Sequence, residues 1–250
     1  MSGRAILVTG ASRGIGRAVA EAFAEQGDRV AVHYRDAATA ATAVLAGLPG
    51  SGHTLVQADL ADPLAVRRMV DEACEALGGL DVLVNNAGIY TPHPITEVSY
   101  EQWQEFWKET LGVNLVGAAN VTWCAVQHMI TRGGGRIVNV SSRGAFRGEP
   151  RHPAYGASKA ALNALGQSLA RALAPHGIAV ATVAPGYVET DMTTEQLGTP
   201  AGHEIRAQSP FGRVAQPGEI AAAVVYLASP AAEWASGAIL DLNGASYLRS

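Results

Sequence analysis

The stretch Arg4-Ala5-Ile6-Leu7-Val8-Thr9-Gly10-Ala11-Ser12-Arg13-Gly14-Ile15-Gly16-Arg17-Ala18-Val19-Ala20 decides how the chain folds. Ala5 to Val8 is a short apolar run of the kind that forms a buried strand. Ile15, Val19, Ala22 and Phe23 recur at helical spacing and predict a helix. Three glycines join the two. Gly10 can take a positive φ where the chain turns, and Gly14 and Gly16, lacking side chains, let a phosphate and a neighbouring strand approach. The N–H groups and dipole at the start of such a helix favour a phosphate there. The spacing is Gly-x-x-x-Gly-x-Gly, not the Gly-x-Gly-x-x-Gly of the ordinary dinucleotide fingerprint.

Outward from this stretch, strand and helix patterns alternate. Strands are predicted at Arg29–Tyr34, His53–Gln57, Leu80–Val84, Arg136–Val140, Ile178–Val183 and Ala238–Leu242. Helices are predicted at Ala37–Leu48, Pro63–Leu77 (capped by Asp62), Ser99–Thr110, Val113–Thr131, Pro153–Ala174 and Gly218–Ala228. No linker divides the run, so one domain over residues 1–250 is expected. Repeated βα units imply a parallel sheet with helices on both faces, doubly wound, with ligands bound beyond the carboxyl ends of the strands. The unusual residues collect at those ends: Gly10, Ala58-Asp59-Leu60, Asn85-Asn86-Ala87-Gly88, Ser141-Ser142 and Pro185-Gly186.

Composition narrows the function. Of 250 residues, 48% are hydrophobic and 16% charged, with a net charge of −4. That balance argues against nucleic acid as a partner, which needs a basic face. No apolar run is long enough for a membrane span. The first strand begins a few residues after Met1, so no targeting peptide is expected. Cys74 and Cys124 form neither a metal spacing nor a disulfide framework. A reducing cytoplasm is the expected location, with no metal.

The predicted helix after Ser142 carries Tyr155 and Lys159, four positions apart on one face. A phenol titrates near ~10 and is a poor base at neutral pH. A nearby ammonium favours the phenolate, so Lys159 is expected to lower the pKa of Tyr155. Ser142 is close enough in sequence to hold a substrate oxygen while Tyr155 passes a proton.

With these pieces in order, the chain resembles the short-chain dehydrogenase/reductase family. The resemblance rests on Thr9 to Gly16, Asn85 to Gly88, Asn114, Ser142, Tyr155, Lys159, and Pro185-Gly186 with Thr190. It implies a seven-stranded parallel sheet in the order 3-2-1-4-5-6-7 and a nicotinamide cofactor. Tyr155 is then the general acid/base, and Lys159 lowers its pKa and binds the nicotinamide ribose. Ser142 positions the carbonyl or hydroxyl, and Asn114 supports a relay water near Lys159. The cofactor set comprises Gly10, Ser12, Arg13, Gly14, Ile15, Gly16, Arg35, Asp59, Leu60, Asn86, Ala87, Gly88, Tyr155, Lys159, Pro185, Gly186, Val188 and Thr190. Asp59 meets the adenine, and Val188 and Thr190 hold the carboxamide. Within the family the pattern is most similar to 3-oxoacyl-acyl-carrier-protein reductases, on Pro185 to Met192 and the tail from Gly237 to Gly244. A sensor that keeps the nucleotide fold, or a lyase or epimerase on the same scaffold, is the alternative; sensors commonly lose the tyrosine or lysine, and both are present.

Enzymes that prefer NAD place an acid at the end of the second strand. Here Tyr34 and Arg35 occupy that end, and Arg13 lies opposite; two guanidiniums can fork onto a 2′-phosphate. NADP is the expected cofactor, with NAD the alternative. The stretch from Tyr187 to Arg213 reads as a long loop and a substrate lid. Ser142, Arg143, Tyr187 and Met192 are expected at the substrate. Arg143 and Arg147, with Phe146, Glu149 and His152 nearby, make an anionic or polar carbonyl attractive. A small carbonyl or alcohol is the expected partner. Gln104 to Gly112 reads as one helical turn (~3–4 residues) longer than the family pattern, with Trp107 on it. Helices 113–131 and 153–174 match those that build family tetramers, with Leu162, Leu165, Leu169 and Leu173 at helical spacing.

Overall fold

Strand residues that are buried on both faces fix the architecture. The computed structural model describes residues 3–249, apart from the side chains of residues 192, 195 and 196. Seven strands form one parallel sheet: β1 (Ala5–Val8), β2 (Arg29–Tyr34), β3 (Thr54–Gln57), β4 (Val82–Asn85), β5 (Gly135–Val140), β6 (Ile178–Pro185) and β7 (Ile239–Leu242). Their order is 3-2-1-4-5-6-7, as the resemblance implied. Register is continuous across the centre, where Ile6 pairs with both Val30 and Val82. The chain reverses its direction of growth between β1 and β4, which places the ligand crevice there.

Alternate strand residues point to opposite faces, so each face has its own core. Ile6, Val8, Val30 and Val32 pack under α1 (Gly14–Glu25), α2 (Ala38–Gly47) and a helix at Pro217–Leu227. Leu7, Leu83, Ile137 and Val180 pack under α3 (Pro63–Leu77) and two later helices. Asp62 caps α3 through the N–H groups of Leu64 and Ala65, and Pro63 occupies its first turn.

α4 (Tyr100–Leu111) runs through a π-helical segment, Gly112–Gly117, into α5 (Ala118–Thr131). The two helices expected on either side of residue 112 are therefore one run. The π turn takes up extra residues where the helix presses on the end of β3: a Cβ on Gly117 would meet Leu60 at 2.8 Å. Trp107 packs against Trp103, with ring centres 5.6 Å apart. After β5 come a short α6 (Gly144–Arg147) and the long α7 (Pro153–Leu173). Leu162 and Leu173 are buried and Leu169 packs on the core, so the leucines of α7 largely cover the sheet.

The stretch expected as a long loop holds two helices, α8 (Asp191–Leu197) and α9 (Pro200–Ala207), before α10 (Pro217–Leu227). Gly198 and Pro200 mark the break between α8 and α9 instead of excluding helix. Leu197 and Ile205 bury against Val214 and Tyr187, a small apolar cluster that holds both helices over the carboxyl end of the sheet. Among the described residues no helix is long and apolar enough to cross a membrane.

Candidate active site

The glycine turn is built as the sequence requires. Gly10 and Gly14 have φ of +63° and +56°, values that favour glycine. Gly16 serves packing: a Cβ there would lie 2.3 Å from the Gly10 oxygen and 2.5 Å from Asn86 Nδ2. Asn86 Nδ2 donates to the oxygens of Thr9 (2.9 Å) and Gly10 (3.1 Å). Thr9 Oγ1 accepts the N–H groups of Asn86 and Ala87, each at 3.0 Å. α1 begins with no side-chain cap and no acid in its first turn, so its leading N–H groups suit an anion.

His33 is a member of this turn that sequence reasoning missed. It is 2% exposed on β2. Its Nδ1 accepts the Gly10 N–H at 2.9 Å, and Nε2 donates to the Ala58 oxygen at 3.1 Å. Burial pushes its pKa down to about 4, so it is neutral, and accepting at Nδ1 assigns the proton to Nε2. In the sequence it is one residue of an apolar strand, and only the paired donors reveal its role.

A cavity of about 540 Å³ opens from the turn along the strand ends. Its wall contains Gly10, Ser12, Arg13, Gly14, Ile15, Arg35, Asp59, Leu60, Asn86, Ala87, Gly88, Ser142, Arg143, Tyr155, Lys159, Pro185, Gly186, Tyr187, Val188 and Thr190. Gly16 lies behind the wall, as does Asn114. The Met192 side chain falls outside the described residues. The wall suits a dinucleotide: a Cβ on Gly14 would meet Thr190 at 3.3 Å, and one on Gly88 would meet Asn114 Oδ1 at 3.3 Å and Lys159 Nζ at 3.4 Å. Arg35 stands half exposed, its Nε donating to Asp36, so one edge of the expected fork is already engaged. Asp59 Oδ1 accepts the Ala61 N–H at 2.9 Å.

At the far end, Tyr155 and Lys159 share one face of α7. Burial pushes the Tyr155 hydroxyl up to about 12; a hydrogen bond with Ser142 acts the other way, and the charges of Glu149 and Tyr187 add to the rise. Burial lowers Lys159 to about 8. Its Nζ donates to the Val140 oxygen at 2.8 Å and stands 5.7 Å from the centre of the Tyr155 ring. The hydroxyl therefore stands above its ordinary value, not below it as expected from Lys159, with burial the largest cause, and the Lys159 ammonium donates to the end of β5. Ser142 Oγ accepts the Gly144 N–H at 3.0 Å, which leaves its own proton to donate.

Asn114, like Lys159, lies against Gly88 at the back of the wall. It sits in the π-helical segment, where Oδ1 accepts the Ile89 N–H at 2.8 Å. Nδ2 donates to the Ile89 oxygen at 3.0 Å and to Ser158 Oγ at 3.2 Å. It holds the chain after β4 from behind the cavity wall.

The substrate end differs from expectation at Arg143. Its guanidinium donates to Ser246 Oγ and Gln208 Oε1 and lies over the Tyr187 ring. It ties the chain after β5 to the segment after α9 and to the C-terminal stretch, and burial lowers its pKa. Phe146 lies under Arg249, outside the wall. Tyr90, absent from the expected set, lines the cavity, stacks on His152 (3.6 Å, 11°) and meets Tyr155 edge-on at 4.7 Å. It lies beyond Gly88 in a loop with no residue pattern that marks a site.

Known proteins bear on this geometry. A family model described as Enoyl-(Acyl carrier protein) reductase matches residues 10–244. The chain is 37% identical over 247 residues to the 3-oxoacyl-acyl-carrier-protein reductase FabG of Staphylococcus aureus, covering 98% of each chain. A short chain dehydrogenase of Burkholderia cenocepacia, solved in complex with NADP, superposes with a TM-score of 0.88 at 37% identity, over 98% of each chain. A 3-ketoacyl-(acyl-carrier-protein) reductase of Brucella melitensis, solved with NADH, superposes with a TM-score of 0.89 at 32% identity, over 99% of each chain. Similarity on this scale, sustained over nearly every residue, means that the chain belongs to the short-chain dehydrogenase/reductase family and is similar to its FabG-type oxidoreductases.

Proposed function

We propose that the protein is an NADP(H)-dependent reductase that interconverts a ketone and a secondary alcohol, with Tyr155 as general acid/base. The observation that carries this is the gathering of Ser142, Tyr155 and Lys159 in the wall of the cavity that begins at the glycine turn. Bound cofactor supplies the hydride. The protein orients the carbonyl and provides the proton. A hydroxyl with its pKa near 12 stays protonated at neutral pH, the form that donates to an oxygen gaining negative charge. Ser142 directs its free proton at the same oxygen. The position of Lys159, close to Gly88 in the wall, supports a contact with the nicotinamide ribose.

Arg13 and Arg35 at the far end of the cavity support NADP over NAD, as does the NADP complex of the Burkholderia relative. α8 and α9 are the segment that covers substrate, at about residues 187–213 of one catalytic domain. A 3-oxoacyl-acyl-carrier-protein is the substrate named for the FabG relatives. The basic patch a carrier protein would need is thin here: Arg132 bonds Asp81 and the Gly78 oxygen, and Arg136 pairs with Glu233. Assembly as a homotetramer is supported by Val116, Trp123 and Ile130, exposed at seven-residue intervals along the π-helical segment and α5. Light scattering on wild-type and Trp123→Glu protein tests it; a wild-type monomer rules it out. The function is tested by oxidation of NADPH and NADH against a panel of ketones. No turnover with any of them, from protein that binds the nucleotide, would favour a sensor instead.

A further inference from the structure

We propose that Glu149 selects the substrate, its carboxyl accepting a hydrogen-bond donor carried beside the reacting carbonyl, so that hydroxyketones and aminoketones are the class this site takes. This rests on the ketone reduction proposed above and names its substrate.

Glu149 lies between α6 and α7 and lines the same cavity as Ser142, Tyr155, Tyr90 and Tyr187. Its position is built. A Cβ on Gly144 would come within 2.6 Å of Glu149 Oε1 and 2.8 Å of its Cγ, so only glycine at 144 lets the carboxyl rest against the backbone there. On its other side the Tyr90 hydroxyl donates to Oε2 at 3.4 Å. Tyr90 is itself held between the His152 ring and the edge of Tyr155.

The carboxyl is held in place with acceptor capacity to spare. One long hydrogen bond uses little of the acceptor capacity of two oxygens. Among the described residues Glu149 takes part in no ion pair within 4.0 Å. The two arginines whose charge acts on it point donors elsewhere: Arg143 gives Nη1 to Ser246 and Nη2 to Gln208, and Arg147 gives Nη1 to Gln208. Burial raises the pKa of the carboxyl, as expected for a charge with too few partners. Its charge is also felt at Tyr155, so it lies within electrostatic reach of the reacting oxygen.

A hydroxyl or ammonium on the substrate would fill that acceptor. A substrate carboxylate would meet a like charge in a partly desolvated wall. The anionic substrate suggested by Arg143 and Arg147 in the sequence is therefore disfavoured, because those guanidiniums direct hydrogen bonds to Gln208 and Ser246 while the carboxyl lies in the cavity wall. A charge-assisted hydrogen bond of this kind corresponds to roughly 10- to 100-fold in kcat/KM.

The test compares four ketones of matched size: unsubstituted, hydroxyl-bearing, amine-bearing and carboxylate-bearing. Each is assayed with NADPH on wild type, Glu149→Gln and Glu149→Ala. Melting temperature and NADPH affinity verify that each variant is folded. Wild type is expected to prefer the hydroxyl and amine ketones to the unsubstituted one by roughly tenfold or more, and the carboxylate ketone least. Glu149→Ala is expected to lose both preferences, and the near-isosteric Glu149→Gln to keep the hydroxyl preference while losing the amine one. A merely structural role would lower all four substrates together, and that result overturns the proposal. So does an unchanged ranking in Glu149→Ala, or a wild-type preference for the carboxylate ketone. In those three cases the ketones are still reduced, so the reductase reading survives and only the role of Glu149 fails. If folded wild type reduces none of the four, both readings fall together.

Discussion

His33 accepts the N–H of Gly10 at 2.9 Å, and this one contact ties β2 to the turn on which the nucleotide end of the cavity is built. A buried neutral histidine makes stability depend on pH. In the unfolded chain it binds a proton below about 6.5, but in the folded protein only below about 4. The unfolded state therefore binds more protons between those values, and stability falls as pH drops from 6.5 to 4. The full difference is about 3 kcal/mol. Urea unfolding at pH 7 and pH 4.5 on wild type and His33→Gln checks it. The variant should lose a large part of the decline; an equal decline in both would remove His33 as its source.

Two glycines should respond in opposite ways. Gly16→Ala drives a Cβ against the Gly10 oxygen and Asn86, and should cost about 1–3 kcal/mol and weaken NADPH binding. Gly218 lies exposed at the start of α10, with nothing within 4 Å of an added Cβ and no positive φ. Gly218→Ala should stabilise by about 0.4–1 kcal/mol. Melting curves of the two variants decide both signs.

Arg35 should set the choice between cofactors. Arg35→Ala should reduce kcat/KM for NADPH by roughly 10- to 100-fold, the loss of one or two charged hydrogen bonds, while NADH changes much less. Steady-state kinetics with both cofactors measures the ratio; an unchanged ratio would place the Arg35–Asp36 pair outside the nucleotide site.

Asn114→Ala should act first on stability. It strips the part-buried Ile89 N–H of its acceptor, and a donor left alone there costs up to about 1–3 kcal/mol. Chemical denaturation reads the cost directly. A loss of activity with no loss of stability would instead put Asn114 in the proton path.

Much of the frame was legible because parallel strands buried on both faces are short, continuous apolar runs, and Ala5–Val8 and Val82–Val84 cannot be read otherwise. The site was legible wherever a turn needs glycine or a strand ends on polar residues, as at Gly10, Asn86 and Ser142. What depends on partners distant in sequence was not. His33 is defined by Gly10 and Ala58, and Arg143 by Gln208 and Ser246. The pKa of Tyr155 is likewise set by burial, which residue spacing does not encode. α8 and α9 were masked by the glycines and prolines around them, because their stability comes from Leu197 and Ile205 packing on Val214.

The most direct measurement is the reduction of a good ketone substrate by Tyr155→Phe protein, with NADPH affinity determined alongside. Removing the proton donor should lower kcat/KM by roughly 10²- to 10⁴-fold while NADPH still binds and the fold keeps its melting temperature. Turnover at the wild-type rate would contradict the role of the Tyr155 hydroxyl and the mechanism built on it.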